Sequence, residues 1–128
     1  MDGRLAGTSR RAFEDALAAG ELWTCPPSLL EMRYSARHEF VEISRELGAL
    51  PHVPLTEDSA AAAVAAQAEL AAAVRVSHRV KPVDLLIASV AASAGLGVLH
   101  HDHDYDTIAE HTSLAFASVW VAPRGSIG

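Results

Sequence analysis

From Val83 to Gly95 the sequence reads VDLLIASVAASAG, a helical run in which Asp84 is the single charged residue and every face is otherwise apolar or small. A helix at a protein surface keeps a polar side, whereas one that is apolar all round is buried. Gly95 is the expected stop, because glycine readily takes the left-handed conformation that ends a helix. A carboxylate carried into a buried helix needs a partner. Two readings of Asp84 follow: a first-turn acid satisfied by backbone N–H groups, or an acid that faces a charged ligand.

Around this helix, extended and helical segments alternate. SRRAFEDALAAG (Ser9–Gly20) opens on a serine cap and ends on glycine, and is expected to be a short helix; ELWTC is a short strand. Pro26-Pro27 marks a turn into SLLEMRYSARHEFVEISRELGAL, one or two helices ending near Gly48, and PHVPL is extended. Thr56 can cap the alanine-rich helix SAAAAVAAQAELAAAV, with Glu57 and Asp58 in the first turn where the helix dipole favours acids. RVSHRVKP connects it to the apolar helix; then follow LGVLH as a strand, YDTIAEHT as a short helix, AFASVWVA as a last strand and PRGSIG as a polar tail. Strands separated by helices indicate an α/β domain with a mainly parallel sheet, whose ligands bind at the carboxyl ends of the strands. The 128 residues fit one domain, with 123–128 as tail.

Composition narrows the function. Cys25 is the only cysteine, so an internal disulfide framework is excluded and a cytoplasmic setting is expected. The start MDGRLAGTSRRAF lacks the apolar core of a signal peptide and no run approaches the length of a membrane span. A formal charge of −6 argues against holding nucleic acid by a general basic surface. It leaves room for a nuclease whose acidic pocket meets phosphate through divalent metal, with arginines at the rim.

The stretch LHHDHDYDTIAEH follows a strand directly and holds four histidines and three aspartates. Its D-x-D-x-D alternation lacks the glycine and the final glutamate of a calcium loop. His100, His101, His103 and His111 suggest zinc, but no spaced cysteine pair and no H-E-x-x-H accompany them. A small metal-binding protein using His100, His101 and His103 is one reading; solvated histidines are the other. Asp106 and Glu110, four apart, read as surface acids of the short helix, with Asp104 as its cap. Glu31 sits among Leu29, Leu30 and Met32 with Ser28 and Ser35 a turn away, either an exposed helix glutamate or part of a narrow polar stripe.

The order of three segments, LLEMRYSAR, HRVKPVDLLIASVAASAGLGVLHHDHDYDTIAE and VWVAPRG, resembles the PIN-domain proteins, specifically the VapC-type ribonuclease toxins of bacterial toxin–antitoxin pairs. The resemblance spans roughly residues 9 to 125, and its most specific part is DLLIA, a glycine, a strand and D-x-D-[FY] in that order. It implies a PIN-like three-layer α/β/α sandwich and a Mg²⁺- or Mn²⁺-dependent endoribonuclease. Carried over by residue, Glu31, Asp84, Asp102 and Asp104 match the family's acids, with Glu31, Asp84 and Asp102 as metal ligands. Tyr105 stands where phenylalanine is commoner. Arg33, Arg37, Arg79 and Lys81 flank the acids as candidates for an RNA-facing rim.

The resemblance also implies a cognate VapB-type antitoxin covering the acidic groove and apolar surface of the early helices, and a homodimer with no membrane association. One departure stands out. The family opens with a short apolar strand ending in aspartate and a small hydroxyl residue, and MDGRLAG aligns after that point, so Asp2 is not assigned as the first ligand. The expectation is that translation starts upstream of Met1 or that the chain is a truncated, catalytically impaired PIN-like protein that only binds its partner.

Overall fold

The structure is a computed structural model that describes Asp15 and residues 22–73, 80–100 and 102–120. The expected helix over Ser9–Gly20, except for Asp15, and the tail at 123–128 lie outside those residues. The described elements are α1 (Pro26–Ser35), a 3₁₀ turn (Arg37–Glu39), α2 (Phe40–Gly48), α3 (Glu57–Ala72), α4 (Pro82–Ala94), β1 (Val98–His100), α5 (His103–His111) and β2 (Ser118–Trp120).

Pro26 and Pro27, expected as a turn before the helix, form its first two positions instead. Proline has no N–H to leave unbonded at a helix start and its φ is preset for the turn; Leu29 N–H closes that turn on the Cys25 carbonyl at 2.9 Å. The long helical stretch that follows is two helices, broken at Ala36 and the 3₁₀ turn. Thr56 caps α3 as expected: its hydroxyl accepts the Ser59 N–H at 3.0 Å while the Ser59 hydroxyl reaches back to the Thr56 N–H.

The apolar helix is enclosed as its sequence demands, with Leu85, Ile87, Ala88, Ser89, Val90 and Ala91 all buried in α4. Its neighbour α3 presents Ser59, Ala63, Ala66 and Leu70 to the core, small side chains that let two helix backbones approach closely. The buried Ser89 hydroxyl donates to the Ser59 carbonyl, so its burial leaves no unpaired donor. Gly95 ends α4 at φ +69°, and the paired bonds Leu96 N–H to Ala91 and Gly95 N–H to Ala92 close the last turn.

The sheet is shorter than the sequence suggests. β1 and β2 run parallel in the register Val98↔Ser118, Leu99↔Val119 and His100↔Trp120. The expected strands ELWTC and PHVPL reduce to one parallel bridge, Thr24↔His52, held by Thr24 N–H to Pro51 O (2.9 Å) and Val53 N–H to Thr24 O (2.8 Å). Strand content depends on partners distant in the chain, which local patterning does not supply.

Side chains alternate across the sheet. Val98 and His100 are buried on the side of α4 and α5, with Val98 in the same core as Leu70, Val90 and Ile108. Leu99 and Val119 face a cavity of about 410 Å³ that also touches Met32 of α1, Leu47 of α2 and Ile87 of α4. Helices therefore stand on both sides of a parallel sheet, the α/β/α layering that the sequence implied. Trp23 spans the cavity's edge, its indole N–H donating to the Gly97 carbonyl at 3.1 Å.

Gly97 leads into β1 at a close backbone approach: a Cβ there would stand 2.9 Å from the Ala117 carbonyl oxygen, whereas one at Gly48 meets nothing within 4 Å. Gly97→Ala is expected to destabilise by about 1–3 kcal/mol through displacement of β2. Gly48→Ala, at the end of a helix, should stabilise by about 0.5 kcal/mol. Urea unfolding of the two variants checks the contrast; equal midpoints would show that β1 and β2 do not pack as closely as described.

A candidate metal centre of three aspartates

Two chain segments meet at the carboxyl end of β1. Pro82 starts α4, with Lys81 as its N-cap, and places Asp84 on the helix's first turn. Asp102 follows β1 and caps α5, its Oδ1 accepting the Asp104 N–H at 2.9 Å. The sequence assigned that cap to Asp104; the helix begins two residues earlier than expected, so Asp104 lies in its first turn instead. One carboxylate oxygen from each of Asp84, Asp102 and Asp104 lies within 4.8 Å of the other two.

Asp84 is the buried member, 5% exposed. Tyr105 O–H donates to its Oδ1 at 3.0 Å, and its Oδ2 is buried with no hydrogen-bond partner among the described residues. Burial is the main reason that the Asp84 carboxyl is pushed up to about 6, with the negative charge of Asp102 adding to it; the Tyr105 hydroxyl and Lys81 oppose the rise. The Tyr105 hydroxyl is in turn held well above its ordinary range by burial and by Asp84. Lys81 Nζ lies 3.6 Å from Asp102 Oδ2, and the charges of Asp84 and Asp102 raise its pKa.

Glu31 stands apart from the group of three. It is half-buried on α1, and its charge is felt by Lys81 and Tyr105, which puts it on the rim of the same acidic region. Arg33 extends over the Phe40 ring, its guanidinium carbon 4.5 Å from the ring centroid. The Arg37 side chain, Arg79 and His101 lie outside what the structure describes.

His100 does not offer itself to zinc as the histidine-rich turn suggested. Its Nε2 lies 2.6 Å from Ser118 Oγ and its Nδ1 accepts the Asp102 N–H at 3.0 Å, so both ring nitrogens are engaged. His111 pairs with Glu110 at 3.7 Å. Asp106, expected on the surface, accepts a hydrogen bond from Ser118 Oγ at 2.7 Å and is half-buried. Sequence reasoning missed Ser118 and the Tyr105 hydroxyl as parts of this region. The signal for Tyr105 was present, a phenol among acids; Ser118 carries none until β2 is in register.

The donor set suits a small hard cation. Carboxylate oxygens are the ligands that Mg²⁺ and Mn²⁺ prefer, and three carboxylates this close repel one another unless a cation joins them. Asp84 Oδ2 is moreover left without a protein donor among the described residues. The residues therefore fit a divalent ion.

Over residues 5–111, a span that contains all three aspartates, the chain matches the PIN domain. It is 34% identical over 120 residues to Ribonuclease VapC18 of Mycobacterium tuberculosis, which covers 91% of this chain and 86% of that protein. Against Ribonuclease VapC51 of the same organism the identity is 39% over 121 residues, 92% of this chain and 85% of the relative. Ribonuclease VapC6, also from Mycobacterium tuberculosis, is 37% identical over 106 residues, covering 80% and 83%. With identities of this size running through most of both chains, and with the converging aspartates inside the matched span, the chain belongs to the PIN-domain family, in its VapC branch.

Proposed function

We propose that this protein is a metal-dependent endoribonuclease, the toxin of a toxin–antitoxin pair, cleaving RNA phosphodiester bonds at the three-aspartate centre. The observation that carries this reading is the convergence of one carboxylate oxygen from each of Asp84, Asp102 and Asp104 within 4.8 Å, at an aspartate whose buried Oδ2 has no hydrogen-bond partner among the described residues, in a chain of the VapC branch. Asp84, Asp102 and Asp104 would hold the Mg²⁺ or Mn²⁺, with Glu31 contributing negative charge from the rim. When bound, the ion would neutralise charge developing on the scissile phosphate and make a bound water a better nucleophile. Tyr105 occupies Asp84 Oδ1, which leaves Oδ2 as the oxygen that would be available to the ion. Lys81, 59% exposed beside Asp102, is free enough to turn toward a phosphate, and the family resemblance proposes Arg33, Arg37 and Arg79 for the same RNA-facing role.

Partners follow from the outer surface. α1 and α2 expose Leu30, Met32, Tyr34, Phe40 and Val41, with Tyr34 at 87%. A run of apolar side chains this open favours a protein partner, and we assign it to a VapB-type antitoxin, with self-association into a homodimer as the second use of exposed surface. No helix among the described residues is long and apolar enough to cross a membrane, and a cytoplasmic site of action goes with the RNA substrate.

Asp84→Asn keeps the side-chain volume and removes a ligand charge. Metal-dependent RNA cleavage should fall by at least about 100-fold, with the fold retained. The metal-free variant should also unfold a few degrees higher than the parent. The sign follows from burial: a carboxyl near 4 in the unfolded chain and about 6 in the fold favours the folded state when protonated, and that contribution is lost as pH rises from 4 to 6. Asparagine never ionises and keeps it. Circular dichroism melts and a cleavage assay on one preparation test both halves; full cleavage by a folded Asp84→Asn protein would sink the reading.

The same carboxyl sets a pH limit. Below about pH 6 protons compete with the ion at Asp84, so Mn²⁺ affinity should fall about tenfold per pH unit there and level off above pH 7. Titrations across that range check it, and a flat profile down to pH 4.5 would place the ion elsewhere.

A further inference from the structure

His100 is the last residue of β1, 6% exposed, and its hydrogen bonds admit one arrangement of protons. Because Nδ1 accepts the Asp102 N–H, it carries no proton; the proton is on Nε2, which donates to Ser118 Oγ across the strand pair. The Ser118 hydroxyl, having accepted from histidine, donates onward to Asp106 Oδ1. Four groups from β1, β2 and α5 are thereby joined donor to acceptor without a conflict.

The histidine also touches the other side of the centre. Its ring lies against Tyr105, with centroids 4.7 Å apart and planes tilted by 34°, and it is Tyr105 that donates to Asp84 Oδ1. One imidazole thus fixes the backbone of Asp102 at one edge and the ring that orients Asp84 at its face. Asp106 is not among the three converging carboxylates, and no ligand role accounts for a half-buried acid bonded to Ser118.

We infer that His100, Ser118 and Asp106 are positioning residues that set Asp102 and Asp84 for the cation, by locking the first turn of α5 to β2. The inference rests on the metal-centre reading given above and deepens it. Ligand-orienting partners of this kind change metal affinity about 10–100-fold when removed. The chain of bonds predicts which substitutions do so. Ser118→Ala removes both bonds at once and Asp106→Ala removes the terminal acceptor, whereas Asp106→Asn keeps an acceptor oxygen and Ser118→Thr keeps the hydroxyl.

The test uses the whole metal-free chain and two readouts: amide hydrogen exchange at Asp102 and Asp104 by NMR, and Mn²⁺ affinity by titration. Ser118→Ala and Asp106→Ala should speed exchange at Asp102 by about tenfold and weaken Mn²⁺ binding by about tenfold, with melting temperatures close to the parent. Asp106→Asn and Ser118→Thr should recover most of both. Parent-like exchange and affinity in folded Ser118→Ala and Asp106→Ala would overturn the inference, as would Asp106→Asn behaving like Asp106→Ala. If exchange at Asp102 accelerates but the parent protein itself takes up no Mn²⁺, the brace on α5 stands and the metal-centre reading falls.

Discussion

Asp84 carries a carboxylate to the start of a helix that is otherwise sealed in the core, and the surroundings are arranged about that fact. An isolated charge in such a place is disfavoured by several kcal/mol or more, so the fold must either protonate it or supply partners. Among the described residues it supplies one, the Tyr105 hydroxyl for Oδ1, and none for Oδ2. Burial is the main reason that the carboxyl pKa is raised. A fold selected for stability alone would place asparagine or leucine here, and a strongly perturbed carboxyl among converging acids points to a functional role for the position.

The helices were readable because their determinants are local. The apolar perimeter of α4, the left-handed glycine at 95 and the Thr56–Ser59 cap all lie within a few residues of the structure that they dictate. The proline start of α1 was misjudged by two residues, since Pro-Pro serves equally well as a turn and as a first helical turn. Strands were overestimated, as the single Thr24↔His52 bridge shows, because a strand exists only where a distant segment meets it.

The site divides in the same way. Asp84, Asp102 and Asp104 were legible from motif order, and the structure brings them together. Glu31 was assigned alongside them and stands at the rim, where its charge is felt through Lys81 and Tyr105 and not through a shared oxygen cluster. The Ser118 and Asp106 partnership was invisible, because it follows from the register Val98↔Ser118, which sequence patterning does not reveal. Helical spacing alone makes Asp106 a surface acid, but spacing places a residue on a helix face without saying what that face meets.

The parallel pairing of β1 with β2 has a consequence for the order of assembly. Every converging aspartate precedes Ser118 in the chain, yet the turn that presents two of them is tied to Ser118 through His100. A chain folded only as far as α5 would hold the three aspartates with that turn untied, because the tie needs Ser118, and Ser118 is in place only when β2 has paired with β1.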